Sequence, residues 1–217
     1  MGIVSKLGEW WRKNFRNKFD CSRLKNKNFT IISNTCIAGK IYHDLGLKFL
    51  TPTINLYIKP EQFTKFCANL KYYLNQPITR VTGNYKYPVG QIEDIFLYFK
   101  HYKTFEEAVA KWNERKSRIV WDNMLVMMTD RHLDIENEAK ASSCIDDVFE
   151  SFDTLPFENK ICFCAKQHKQ KSCFQLREFS NEKCVGVITD IVNCFGKRMY
   201  QLSHFDYVAW LNNGKSK

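Results

Sequence analysis

Three residues in this chain have the side chains of a nucleophilic transfer site: Cys36, His101 and Asp130. A thiolate attacks, an imidazole moves the proton, and a carboxylate orients the imidazole. Each follows an apolar run that suits a buried strand. Phe29–Ile32 leads to Ser33-Asn34-Thr35-Cys36, Asp94–Phe99 to Lys100-His101-Tyr102, and Met124–Met128 to Thr129-Asp130-Arg131-His132. If the three strands are parallel neighbours, the clusters meet on one sheet edge, where open α/β sheets gather their ligands. Cys36 also falls in the first turn of a helix that shows Ile37, Ile41 and Leu45 on one face and stops at Gly46. Backbone N–H groups and the helix dipole there favour a thiolate and offer an oxyanion hole. Asp122 or Asn123 are further candidates for orienting the imidazole. Substrate contacts are expected from Ser33, Asn34, Asn123 and Arg131, and from Arg115 and Arg118, a pair on one helix that suits a phosphate or sugar acid. Each has a plainer competitor. Cys36 is then a small buried hydrophobe, His101 a structural histidine, and Asp130-Arg131 a salt-bridged loop.

The elements that must position these residues alternate in type. A second strand is expected at 53–57, then a helix from Pro60 with Phe63, Phe66, Cys67, Leu70 and Leu74 on one stripe. Ile78–Thr82 reads as a short strand and Asp94–Phe99 as a central one. Thr104 with Glu107 caps the next helix. Helix, strand and terminal helix follow at 145–152, 160–165 and 204–211, with a last strand at 185–188. Strands alternating with helices predict a single α/β domain over 29–213, three layers deep, with a largely parallel or mixed sheet.

Residues 1–28 stand apart as a basic amphipathic segment and linker. Of the net charge of +10, these 28 residues supply +6, from eight Lys/Arg and two Asp/Glu. Over 3–19, Ile3, Leu7, Trp10, Trp11, Phe15 and Phe19 make one stripe beside Lys and Arg. Such a helix either lies on an anionic membrane surface or packs its stripe onto the domain. A myristoylation signal fails at Lys6, where Ser or Thr is needed. No apolar run approaches the ~20 residues of a membrane span, and no secretory signal is present. A cytoplasmic protein is expected, peripheral at the inner membrane face. No motif interleaves basic and aromatic residues for nucleic acid, so that partner is not expected. Nine scattered cysteines suit a reducing compartment. Cys162, Cys164, His168, Cys173 and Cys184 contain enough zinc-type ligands for one ion, but no C-x-x-C pair, so no metal is expected; no Gly-rich nucleotide motif or HExxH occurs, and no cofactor is expected. Nor is there a DxD for a glycosyltransferase: Asp146-Asp147 is an adjacent pair in a helix.

Several stretches resemble a bacterial family known as domain of unknown function 1919. They are Ile31-Ile32-Ser33-Asn34-Thr35-Cys36, Tyr42-His43-Asp44-Leu45-Gly46-Leu47, Thr51-Pro52-Thr53-Ile54-Asn55-Leu56 and Phe99-Lys100-His101-Tyr102. Trp112 with Arg115, Arg118 and Ile119, then Asp122-Asn123, Thr129-Asp130-Arg131 and the close Phe205–Asn212 complete the set. The sequence departs from the family pattern at Thr35 and at His132. The resemblance implies an α/β domain that serves exopolysaccharide or capsular polysaccharide biosynthesis, with a saccharide or glycolipid as its substrate. Joined to the Cys/His pattern, it predicts acyl transfer or hydrolysis through Cys36. A glycosyltransferase-like protein and a non-catalytic glycan-binding or partner-binding module are the alternatives.

Overall fold

A computed structural model describes residues 3–131, 145–191 and 193–213; His132 lies outside them. The chain opens with α1 (Ile3–Trp11), which runs through a π-helical stretch (Arg12–Arg16) into α2 (Asn17–Arg23). Then come β1 (Thr30–Ser33), α3 (Ile37–Asp44), α4 (Pro60–Ala68) and α5 (Leu70–Asn75). Next are β2 (Thr79–Val81), β3 (Val89–Ile92), β4 (Ile95–Tyr98), α6 (Phe105–Lys116) and β5 (Met124–Thr129). The last elements are α7 (Ile145–Asp153), β6 (Asn159–Cys164), β7 (Cys173–Gln175), α8 (Met199–Leu202) and α9 (Tyr207–Asn213).

The main sheet has the order β1-β5-β6-β7 and is parallel throughout. β1, β5 and the second half of β6 are buried on both faces, which is why they read as unbroken apolar runs, whereas the outer β7 is half-buried. Alternate residues feed two cores. Ile32, Val126, Met128, Cys162 and Cys164 face Phe63, Phe66, Trp112 and Phe152 from α4, α6 and α7. Ile31, Leu125, Met127, Ile161 and Phe163 face Ile37, Ile41, Tyr200, Val208 and Trp210 from α3, α8 and α9. The molecule is a three-layer α/β domain with a second, antiparallel sheet, β2-β3-β4.

β1 is an edge strand, and its outward N–H groups need partners. Side chains supply them: Tyr42 Oη accepts from Ile31 N (3.2 Å) and Thr53 Oγ1 from Ser33 N (3.0 Å). The segment around Thr51 and Thr53 therefore lies along β1 without pairing as a strand. The strand expected at 53–57 is absent. Asn55 turns the chain with φ 61°, and only Tyr57 forms a bridge, to Tyr98 of β4. Two further expectations change. Asp94–Phe99 supplies β4 of the small sheet rather than a central strand, and 185–188 forms no strand, leaving β7 as the last.

The N-terminal helix packs with its polar side inward. Gly8, Arg12 and Asp20 are buried, whereas Leu7, Trp10, Trp11, Phe15 and Phe19 are among the large exposed hydrophobics. Arg12 Nε and Nη2 donate to Asp44 Oδ2 at 2.9 and 2.7 Å, and Arg198 donates to both Asp44 oxygens at 2.7 and 2.8 Å. Tyr207 Oη donates to Asp20 (2.8 Å). Residues 20–23, expected as linker, continue the helix.

Candidate functional site

A cleft of 290 Å³ opens at the carboxyl ends of β1 and β5. Cys36, the residue before α3, forms part of its wall together with Lys100, His101, Thr129 and Arg131; residues 186–190 form another part. β5 delivers Thr129 and Arg131 directly. His101 and Lys100 arrive by another route, as they follow β4 of the small sheet. The main-chain pair Tyr57–Tyr98 (2.9 and 3.0 Å) ties β4 to the 52–58 segment, and Ile58 N donates to Asn34 O (2.9 Å) at the end of β1. Tyr57 Oη then donates to Arg131 O (3.0 Å). These links bring the end of the small sheet to the end of the large one.

Cys36, His101 and Arg131 are thus brought to one cleft. Asp130 is not on its wall. Side chains alternate along a strand, so the residue between Thr129 and Arg131 turns the other way. Its Oδ2 accepts from Ala165 N (2.9 Å) and its Oδ1 from Val185 N (2.8 Å), which anchors the 185–190 segment. Asn34 is wholly buried and works as a strand extension: its amide accepts from Thr129 N (2.9 Å) and donates to Thr129 O (3.0 Å). Ser33 Oγ closes the following turn on Thr35 (2.7 and 3.2 Å). Arg115 is buried, donates to Tyr102 Oη (2.6 Å) and lies over Phe49. Arg118 pairs with Glu114 and reaches Phe49 O. Asn123 sits at the opposite end of the sheet, bonded to Asn26 and Asn28 (2.9 and 2.7 Å). A larger hollow of 580 Å³ lies there, lined by Asp122, Asn123 and Trp121, but neither Cys36 nor His101 reaches it. Sequence reasoning missed Lys100, whose signal was its place beside His101, and also Tyr57, Thr129 and Asp190.

The cleft is cationic. Lys100 and Arg131 flank Cys36, with His101 alongside and Asp190 as the acidic side chain on the rim. Burial is the larger influence on Cys36 and pushes its thiol up; Lys100 and then Arg131 pull the other way without overcoming it. The helix start therefore does not make Cys36 a resting thiolate. Burial, with Arg131 next to it, pulls the Lys100 ammonium down. The Thr129 hydroxyl is buried in the cleft wall with no hydrogen-bond partner among the described residues. Two neighbouring cations on one cleft wall have the charge that suits an oxyanion. Elsewhere, three of the five zinc-type ligands considered above come together: the sulfurs of Cys162, Cys164 and Cys173 all lie within 4.8 Å of one another.

Comparison with known proteins defines the class. The family model described as domain of unknown function (DUF1919) matches residues 8–212, and the chain belongs to that family. It is similar to an uncharacterised protein of Haemophilus influenzae, 36% identical over 200 residues, covering 92% of this chain and 91% of the relative. The match takes in most of the N-terminal helix as well as the domain. Among the described residues no helix is long and apolar enough to cross a membrane.

Proposed function

We propose that this protein works at an anionic membrane surface in the biosynthesis of a surface polysaccharide, taking the phosphate-bearing or acidic head of a lipid-linked saccharide into the Cys36 cleft. The observation that carries the reading is where residues 186–191 and 193–196 lie. The first part, 186–190, is a wall of the cleft. The rest underlies the N-terminal helix: Asn193 O and Ile191 Cγ2 fill the place where a Cβ on Gly8 would stand, and Phe195 meets Trp11 edge-on at 5.8 Å. Phe195 and Val187 are themselves exposed. One short segment thus joins a cationic cleft to an exposed aromatic helix face flanked by Lys6, Lys13 and Lys18. Trp and Phe beside Lys are the residues that seat a helix among anionic headgroups. The saccharide assignment rests on the family resemblance.

Cys36 and His101 give the cleft a reaction as well as a receptor. His101 takes the Cys36 thiol proton as sulfur attacks an acyl carbonyl, and returns it to the leaving oxygen. The thioester then passes its acyl group to a saccharide hydroxyl or to water. Because burial raises the Cys36 thiol, this step proceeds by concerted base catalysis rather than from a stored thiolate. Vesicle flotation tests the membrane half. Wild-type protein should float with phosphatidylglycerol vesicles and stay behind with phosphatidylcholine ones. A Trp10→Ala/Phe15→Ala/Phe19→Ala variant of unchanged melting temperature should no longer float. Equal flotation of the two proteins would reject the interfacial helix.

A further inference from the structure

The three clustered cysteines belong to neither the cleft nor the helix. Cys162 and Cys164 are two residues apart on β6, so both sulfurs fall on one face of the sheet. Cys173 is the register partner of Cys162 on β7, the outer strand. Cys162 and Cys164 are wholly buried, with their sulfurs 3.5 Å apart, while Cys173 is half-buried and gives access from the surface. Among the described residues no other group of three or more His, Cys, Asp or Glu has this ligand geometry.

We propose that Cys162, Cys164 and Cys173 form a zinc site. Zinc–thiolate bonds of about 2.3 Å in a tetrahedron place sulfurs about 3.8 Å apart. One sulfur pair is 3.5 Å apart and all three sulfurs lie within 4.8 Å of one another, so small side-chain rotations bring them onto one ion. Charge selects the metal. Three thiolates with Zn²⁺ leave one net negative charge beside an apolar core, whereas Cu⁺ would leave two, and Asp153, held against Ser172 N at 2.8 Å, adds another nearby. A fourth ligand would come from the 165–172 loop that joins the two strands. His168 stands on this loop with its ring 3.9 Å from that of Phe149, which packs in the same core as Cys162 and Cys164. The site would pin the short outer strand, which pairs through only three residues, to the sheet.

The test is metal content of the full chain purified under reducing conditions without chelator, followed by Co²⁺ substitution. One zinc per chain is expected, and the cobalt form should show sulfur-to-cobalt charge-transfer absorption. Cys173→Ser should abolish the zinc, while Cys36→Ser and Cys67→Ser keep it. Cys173→Ser acts on an outer strand, but His168→Ala guards against misfolding: it should retain thiolate charge transfer and shift only the ligand-field bands. Three results would each overturn the site: reduced thiols with no zinc and no cobalt spectrum, copper(I) held in preference to zinc, or a disulfide among the three cysteines in protein whose thiols were trapped on lysis.

Discussion

Asp44→Asn should be among the most damaging single changes in this protein. Asp44 is the anion that lets the N-terminal helix dock polar side inward. It takes four donated hydrogen bonds, two from Arg12 and two from Arg198, and all three side chains are 2–3% exposed. The amide keeps the shape but removes the charge, so two buried guanidiniums are left facing each other with one donor-bearing NH2 between them. Leaving buried charge uncompensated costs about 3–5 kcal/mol, a large part of the ~5–15 kcal/mol that holds a domain together. Urea denaturation followed by circular dichroism, with the slope checked for constancy, measures the loss. Arg12→Met should cost less, because Asp44 keeps both bonds from Arg198. The effect also has a pH signature. Burial by itself would raise the Asp44 carboxyl, but Arg198 and Arg12 outweigh it and hold the group below its usual value. A depressed carboxylate contributes stability above its unfolded pKa of about 3.9, and that contribution fades as pH falls through the lower folded value. Wild-type protein should therefore lose stability in acid more steeply than Asp44→Asn. A loss below about 1 kcal/mol at neutral pH would show that the buried triad is not what holds the helix.

Two other outcomes follow from the cleft. Asn34→Ala strips both hydrogen bonds from Thr129 and leaves its buried N–H and C=O unmatched, so a loss of about 2–4 kcal/mol in chemical denaturation is expected; a near-neutral result would mean that water replaces the amide. Cys36 should react with iodoacetamide only as pH rises past the ordinary thiol range, and Arg131→Ala or Lys100→Ala should move that rise higher still, since both cations pull the thiol down. Fast alkylation at neutral pH, or no response to either substitution, would show that burial and these two cations do not set the Cys36 thiol.

The parallel strands were legible because residues such as Leu125–Met128 and Ile161–Cys164 are buried on both faces and leave no polar alternation to mislead. The same reasoning placed Ile95–Tyr98 in the wrong sheet. Apolarity reports that a strand is covered, not what covers it. The 53–57 segment failed for a different reason: Thr51 and Thr53 serve the edge of β1 through hydroxyls, so its β-branched residues reflect capping and not pairing. Cys36, His101 and Arg131 each follow an apolar run in the sequence, and the fold places all three on the wall of one cleft. His101 arrives there through the Tyr57–Tyr98 bridge, a long-range contact with no local signal. Asp130 looked catalytic by residue type, but strand alternation turns it toward Ala165 and Val185. The helix stripe was visible in sequence, but not its direction, because Asp44 and Arg198 lie 32 and 186 residues from Arg12 and only the fold unites them.

If the Cys36 cleft receives the anionic head of a membrane-linked saccharide, as proposed, that ligand should shield Cys36 from alkylation. Alkylation of Cys36 by iodoacetamide, at a pH above the ordinary thiol range, would be followed by mass spectrometry with phosphatidylglycerol vesicles, with and without a polyprenyl-diphosphate-linked saccharide. Alkylation should slow only when the saccharide lipid is present, and Arg131→Ala should lose that protection. Equal rates with both kinds of vesicle, while the protein remains bound to them, would contradict it.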